Sequence, residues 1–155
     1  MKKWIYILLI FFWAIPNGFA QLKTYSFEQM DSLQAIQKRK VIVFIHTDWC
    51  KYCQAMKNST FKNKEVTKNL NENFYFVALN AEEKRIITFK SRTFIFKTYG
   101  NTTGINELAH ELAMINNQAT YPTICVLTAQ NEIIFQQSNY LPGKDFLILL
   151  QKLKE

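Results

Sequence analysis

An uninterrupted apolar run directly before a pair of cysteines constrains this chain more than any other feature. Residues 41–45 read Val-Ile-Val-Phe-Ile, and the first cysteine follows at Cys50. β-Branched and aromatic residues favour strands, and a strand that is apolar on both faces has to be covered on both faces. The sequence therefore predicts a buried strand at the centre of a layered α/β structure, with a helix beginning close to Cys50.

Helical and strand patterns alternate along the rest of the chain. Ser26 and Gln29 match a capping box at the start of a helix whose apolar residues recur at helical spacing. Strand-like runs follow at 74–79, 123–127 and 132–137, the last predicted to be an antiparallel edge strand. Helical patterns separate these runs and close the chain. The order predicts an α/β fold of three layers, with a central mixed β-sheet flanked by helices.

Residues 81–119 interrupt that alternation. Two short apolar runs, 86–89 and 93–96, flank a polar turn and predict a hairpin. Residues 99–104 are predicted to be a loop, and 105–115 carry a helical stripe. This hairpin and helix insert ends just before the third core strand. We consider two roles for it: it shapes the choice of partner, or it is a plain surface hairpin.

Length and composition indicate one folded domain without nucleic-acid chemistry. The chain has 155 residues, of which 48% are hydrophobic and 20% charged. A chain of this size can bury one core, and its composition is not that of a disordered protein. The formal net charge is +7, but acidic and basic residues are interspersed and no basic stripe carries aromatic residues. We therefore expect no nucleic acid among its partners.

The first twenty residues have the layout of a secretory signal peptide. Lys2 and Lys3 precede residues 4–15, which carry no charge, and the small residues Gly18 and Ala20 stand before Gln21. A membrane span needs about 20 apolar residues, and this run is shorter. The sequence predicts a cleaved signal peptide at 1–20, a mature domain at 21–155, and a periplasmic or secreted location.

The chemistry is predicted to lie at Cys50 and Cys53. Two residues separate them, so on a helix they are neighbours at disulfide distance. Cys50 is expected in the first helical turn, where unsatisfied N–H groups and the helix dipole favour a thiolate, and Lys51 adds positive charge. Cys50 is therefore the expected attacking sulfur. Cys53, one turn further in, is expected to resolve the mixed disulfide.

Two other uses of the pair would also fit its spacing. A structural zinc site needs four ligands, the chain has no second CxxC, and recruiting His46 and Cys125 would need an improbable geometry. A permanent structural disulfide would close a very small loop and stabilise the fold little. We expect neither a metal nor a cofactor. Cys125 is predicted to be a small buried apolar residue without a redox role.

Two motifs together resemble the thioredoxin superfamily. Residues 49–53 (WCKYC) end an apolar strand, and residues 121–123 (YPT) open the next core strand about seventy residues later. The resemblance covers 22–155, and the stretch after Cys53 is similar to proteins related to the C-terminal domain of the periplasmic interchange protein DsbD. It implies a thioredoxin-like fold and a cis bond before Pro122. It also implies substrate binding by Trp49, Tyr121 and Pro122 beside Cys50.

The chain also departs from the pattern of that superfamily. Phe44 stands where a buried aspartate is usual, six residues before the first cysteine, and Ala78 matches the position of the lysine that often accompanies it. Asn139 stands where a glycine is expected, and asparagine tolerates a left-handed conformation. The internal proton acceptor for Cys53 is therefore missing or replaced.

Three further residues are candidate modulators of the site. Lys51 and Tyr52 separate the cysteines, a dipeptide without the histidine of strong oxidants. His46 lies four residues before Cys50 and is either a titrating group near the site or a packed strand histidine.

The sequence predicts an exported thiol–disulfide oxidoreductase, a reductant of protein disulfides rather than an oxidant. Its expected partners are protein disulfide substrates and a membrane thiol that donates electrons, and we expect a monomer. One alternative is a non-catalytic thioredoxin-fold binding module whose CxxC disulfide is structural. Another, within redox chemistry, is a disulfide isomerase.

Overall fold

The computed structural model describes residues 21–100 and 102–154. The helices in these residues are α1 (Phe27–Ile36), α2 (Lys51–Asn58), the 3-10 helix η1 (Thr60–Lys62), α3 (Lys64–Asn73), α4 (Glu107–Ala113) and α5 (Gly143–Lys152). The strands are β1 (Lys40–His46), β2 (Phe74–Asn80), β3 (Ile87–Phe89), β4 (Arg92–Phe94), β5 (Phe96–Thr98), β6 (Gly104–Asn106), β7 (Met114–Ile115), β8 (Gln118–Ala119), β9 (Thr123–Leu127) and β10 (Ile133–Ser138). The signal peptide predicted at 1–20 lies outside the described residues. None of the helices described is long and apolar enough to cross a membrane.

The central sheet has four strands in the order β10-β9-β1-β2. Strand β1 runs parallel to β2 and antiparallel to β9, and β10 is antiparallel to β9 at the edge. Val43 thus lies between Val77 on one side and Cys125 on the other. The mixed sheet and the antiparallel edge strand predicted from the sequence are confirmed.

The two faces of β1 belong to two different hydrophobic clusters. Val41, Val43 and Ile45 pack with α1, α4 and residues of the insert. Ile42 and Phe44 face the other way and pack with α2, α3, α5 and the cysteine pair. Because side chains alternate along a strand, the apolar run supplies both cores at once. The structure therefore has the predicted three layers.

The insert is part of the core, not a surface decoration. The turn of its β3–β4 hairpin is made by Lys90 and Ser91, both at positive φ. Apolar side chains from along the insert are buried in the same cluster as Val41 and Val43: Ile87, Phe89, Phe94, Ile105, Leu108 and Leu112. The interpretation of a plain surface hairpin is wrong, because these side chains complete one face of the sheet.

The second half of the insert differs from the sequence prediction. Residues 99–100 and 102–103 lie in the loop predicted there, but this loop joins β5 to β6 in a second hairpin that the sequence pattern did not predict, and Gly104 belongs to β6. A Cβ atom at Gly104 would overlap the carbonyl oxygen of Lys97, so a glycine is required for this close pairing. The helix begins at Glu107 rather than at 105, because the side chain of Asn106 accepts the N–H of Leu108 at 3.0 Å and caps α4.

Local signals before two other helices are confirmed. Ser26 and Gln29 form the reciprocal capping box that begins α1. Asn139, ahead of α5, has φ of 87°, the left-handed conformation that its sequence position implied.

Candidate active site

The cysteine pair forms a disulfide at the beginning of α2. Cys50 is the N-cap residue of the helix, and Cys53 lies in its first turn, with 5.2 Å between their Cα atoms. The Sγ atom of Cys50 accepts a hydrogen bond from the backbone N–H of Cys53 at 3.1 Å. The sulfur of Cys50 therefore stands where an N-cap oxygen stands in most helices, at the positive end of the helix dipole.

The two sulfurs differ in how far a partner can reach them. Cys50 retains 6% of its surface exposed, whereas Cys53 has none. Cys53 lies within the cluster that also holds Met56 and Phe146. Cys50 is therefore the more accessible of the two sulfurs, and the order of attack stays a prediction.

Hydrogen bonds from two elements hold the turn that precedes the cysteines. The side-chain amide of Asn80, at the end of β2, donates to the carboxylate of Asp48 at 3.1 Å. The side-chain amide of Gln54, on α2, donates to the backbone carbonyl of Asp48 at 3.3 Å. Asp48 thus ties the strand, the turn and the helix together and fixes where α2 begins.

Two aromatic residues close to Cys50 in the chain face solvent. Trp49 and Tyr52 are both exposed. The indole N–H of Trp49 donates to the carboxylate of Glu82 at 3.1 Å, and the indole ring meets the ring of Tyr121 edge to face, with 6.5 Å between centroids. Trp49 is therefore held in place by contacts on both sides although it faces solvent.

The Tyr121–Pro122 segment lies beside Trp49. Its peptide bond is cis, which confirms what the resemblance implied. The backbone N–H of Asn139 donates to the carbonyl of Pro122 at 3.0 Å, and the hydroxyl of Thr123 donates to the carbonyl of Thr120 at 2.7 Å. Burial raises the pKa of Tyr121 to about 12, with a smaller contribution from the charges of nearby groups. The Tyr121 hydroxyl is therefore neutral throughout the physiological range.

His46 is a packed strand histidine rather than a group that titrates near neutrality. Its ring is buried and stacks on Phe44 at 5.3 Å between centroids. Nδ1 of His46 lies 3.1 Å from Nζ of Lys57. Burial, and next the charge of Lys57, lower the pKa of His46 to about 4. Of the two interpretations left open by the sequence, the structure supports the packed one.

Phe44 and Ala78, the two departures noted in the sequence, are register partners on β1 and β2. Phe44 is buried and Ala78 is exposed. Next to them lies an open groove of about 520 Å³, whose walls include Phe44, Phe76, Ala78 and Lys57. A phenylalanine and an alanine thus occupy positions where the resemblance implied an aspartate and a lysine, and a concave surface remains beside them.

Two residues of the site were not identified from the sequence. Lys57 follows Cys53 by four positions on α2, a spacing that places both on one face of a helix and would have been sufficient to identify it. Glu82, which holds the Trp49 indole, lies in the segment after β2. No pattern in the sequence brings position 82 to position 49, because the pairing depends on the parallel register of β1 and β2.

The third cysteine, Cys125, is not part of this pair. Cys125 forms no disulfide and is fully buried on β9, and burial raises its pKa to about 12. Within residues 21–100 and 102–154, no three or more side chains of His, Cys, Asp or Glu are grouped so as to hold a metal ion.

Comparisons with known proteins give the same fold. No curated protein matches the chain. The structure is similar to that of a DsbH oxidoreductase, with a TM-score of 0.62, 13% identity and coverage of 90% of this chain and 89% of that one. It is also similar to a thioredoxin from Thermus thermophilus, with a TM-score of 0.59, 21% identity and coverage of 86% of this chain and 88% of that one. A third similar structure is the DsbD C-terminal domain of Neisseria meningitidis in the reduced form, with a TM-score of 0.52, 14% identity and coverage of 80% of this chain and 90% of that one.

At these identities the solved structures establish the fold alone, while the sequence comparison establishes the family. The family model described as the thioredoxin-like domain matches residues 27–154, which is most of the chain and includes the cysteine pair and the Tyr121–Pro122 segment. The chain therefore belongs to the thioredoxin-like domain family.

Proposed function

We propose that this protein is an exported thiol–disulfide oxidoreductase that reduces disulfides in other proteins. The observation that carries the proposal is the hydrogen bond from the N–H of Cys53 to Sγ of Cys50 at the beginning of α2. The same N–H that would stabilise a thiolate on Cys50 belongs to the residue that would resolve its adduct.

The reaction has two exchange steps. The thiolate of Cys50 attacks one sulfur of a substrate disulfide, the substrate S–S bond breaks, and its other sulfur leaves as a thiolate that takes a proton from water. Cys53 then attacks Sγ of Cys50, the mixed disulfide breaks, and the second substrate sulfur leaves. Two electrons pass to the substrate, and the enzyme ends with the Cys50–Cys53 disulfide described here.

The expected substrate is an extended peptide segment that carries a cystine. Tyr121 lies against Trp49, the residue before Cys50, and the proposed peptide adds as a strand to the backbone before Pro122. Trp49, Tyr121 and Pro122 are accordingly the proposed substrate-binding residues. The exposed aromatic rings supply apolar contact area for such a peptide.

Direction and location rest on the sequence. The Lys51–Tyr52 dipeptide and the likeness to DsbD-related proteins support a reductant, which needs an electron donor, and we propose a membrane thiol protein for that role. The pattern of residues 1–20 supports export to the periplasm or beyond. A Cys50–Cys53 potential near that of DsbA, about −120 mV, would contradict the reductant. A chain recovered from its native compartment with residues 1–20 still attached would contradict cleavage.

Reduction of insulin by dithiothreitol tests the reaction. Wild type should accelerate precipitation of the insulin B chain, Cys50→Ser should be inactive, and Cys125→Ala, which removes the buried third sulfur, should retain the activity. If wild type is as inactive as Cys50→Ser with several reductants, the disulfide is structural. The alternative, a binding module that holds partners without exchanging sulfur bonds, would then be correct.

A further inference from the structure

The inner cysteine faces a chemical difficulty that the outer one does not. Cys53 has to become a thiolate before it can attack Cys50, yet it has no exposed surface and lies among apolar side chains. Burial in such surroundings disfavours the charged form of a thiol. A resolving step at a useful rate therefore needs a nearby group that stabilises negative charge on this sulfur.

Lys57 is the cationic residue that helix spacing places on the same face of α2 as Cys53. It lies on α2 four residues after Cys53 and seven after Cys50, so the three share one face of the helix. Helical side chains lean toward the N-terminus of their helix and cover the preceding turn. The stem of Lys57 therefore extends toward the turn that contains Cys53.

His46 fixes the ammonium group of Lys57 on the side of the helix that faces the sheet. An ammonium group can only donate, so in the 3.1 Å contact Nδ1 of His46 accepts and its ring proton resides on Nε2. The ring itself is held by burial and by its stack on Phe44. Because the pKa of His46 is about 4, the ring is neutral near pH 7 and adds no second positive charge.

The other charges near the pair leave this arrangement intact. Asp48 is the acidic group that acts on His46, and its carboxylate accepts from Asn80 on the outer turn. Lys62, from η1, lines the same groove as Lys57, and none of the described residues that line this groove is acidic. The groove that Lys57 lines is open to solvent.

We propose that Lys57, positioned by His46, stabilises the thiolate of Cys53 in the step that releases the substrate. This inference rests on the proposed function. Cys53 loses its proton to solvent, its thiolate attacks Sγ of Cys50, and the bond between Cys50 and the substrate sulfur breaks. The electron pair leaves on the substrate sulfur, which takes up a proton from water, so no further oxidant or reductant is consumed.

The reaction of the reduced protein with dithionitrobenzoate separates the two sulfurs. Attack by Cys50 releases a first equivalent of thionitrobenzoate, and attack by Cys53 on the resulting mixed disulfide releases a second. Lys57→Met should leave the first phase unchanged. A loss of about tenfold in the thiolate fraction of Cys53, partly offset by the greater nucleophilicity of a more basic thiolate, should slow the second phase about threefold near neutral pH.

Three further variants distinguish charge from packing. Lys57→Arg keeps the cation and should restore the second phase. Lys62→Met removes a lysine from the same groove but from η1, off the face of α2 that carries Cys53, and should leave both phases unchanged. His46→Leu removes the acceptor and should give a second phase between those of wild type and Lys57→Met. Urea unfolding of each variant establishes that it is folded under the assay conditions.

The pH profile gives a signature that a merely structural role of Lys57 would not produce. Well above neutral pH Cys53 is ionised in both proteins, and the more basic thiolate of Lys57→Met should then attack about threefold faster than wild type. The two profiles should therefore cross. Parallel profiles, or a second phase that Lys57→Met leaves unchanged at every pH, would overturn this proposal alone. Absence of both phases in wild type would instead overturn the proposed function.

Discussion

The backbone N–H of Cys53 donates to Sγ of Cys50 at 3.1 Å, so the outer sulfur of the pair caps the helix that carries the inner sulfur. This contact links the position of each sulfur on the helix to its burial. Cys50 is the sulfur that remains partly exposed and faces the positive end of α2, whereas Cys53 is the sulfur that the fold encloses. The proposed division of labour, attack by Cys50 and resolution by Cys53, rests on this difference between the two sulfurs.

This division predicts that one variant accumulates covalent adducts and the other does not. In Cys53→Ser the mixed disulfide on Cys50 has no internal sulfur to resolve it, so partner proteins should remain attached. Non-reducing electrophoresis of the tagged protein from its native compartment should show bands that disappear on reduction. Cys50→Ser, which retains the enclosed sulfur, is the matched control. Equal adducts on both variants would show that the order of attack is wrong.

Trp49→Ala should weaken substrate binding without altering the chemistry of the cysteines. The indole is exposed yet fixed by Glu82 and Tyr121, so its loss removes a positioned apolar surface beside Cys50. We expect the KM for a cystine-containing peptide to rise about fivefold at constant kcat. Ile36→Ala, an exposed residue on α1, serves as control. A fall in kcat with unchanged KM would place Trp49 in the chemical steps instead.

Two variants within the insert should differ in how much they change the free energy of unfolding. Phe94 is buried against the sheet, so Phe94→Ala should lower the free energy of unfolding by about 3–5 kcal/mol. Tyr99 is exposed, so Tyr99→Ala should change it by no more than about 0.5 kcal/mol. Urea denaturation measures both. Equal effects would mean that the insert does not share the core of the sheet.

His46 makes stability depend on pH in a defined direction. Its pKa is about 4 in the fold against an ordinary value of 6.5, so between these values the unfolded chain binds a proton that the folded chain does not. The stability that the neutral ring of His46 contributes is therefore fully present above pH 6.5 and is lost as pH falls toward 4. Between about pH 7 and 5, wild type should lose about 2 kcal/mol more than His46→Gln. Equal losses in urea denaturation at the two pH values would contradict a buried neutral ring.

The sequence was sufficient to predict the features that depend on local pattern. The run at 41–45 can be buried on both faces only as a central strand, and the spacing of Cys50 and Cys53 fixes them on one helical turn. Ser26 and Gln29 specify a helix start without reference to the rest of the chain. In each case the physical cause lies within a few residues.

Features that depend on distant contacts were not predictable in this way. The hairpin of β5 and β6 forms because Gly104 permits a close backbone approach, and no local pattern at residues 104–106 indicates a strand. The state of His46 could not be predicted because its pKa is lowered first by burial and next by the charge of Lys57, which α2 brings to it across eleven positions. Glu82 reaches Trp49 only after β1 and β2 have paired.

The activation of Cys50 at the beginning of α2 can be measured from the pH dependence of its alkylation rate. In reduced Cys53→Ser the rate of reaction with iodoacetamide should reach half its maximum below about pH 7.5, because the beginning of α2 favours the thiolate. Cys125, fully buried, should not react while the protein is folded. A midpoint near that of free cysteine, about 8.5, would contradict the account.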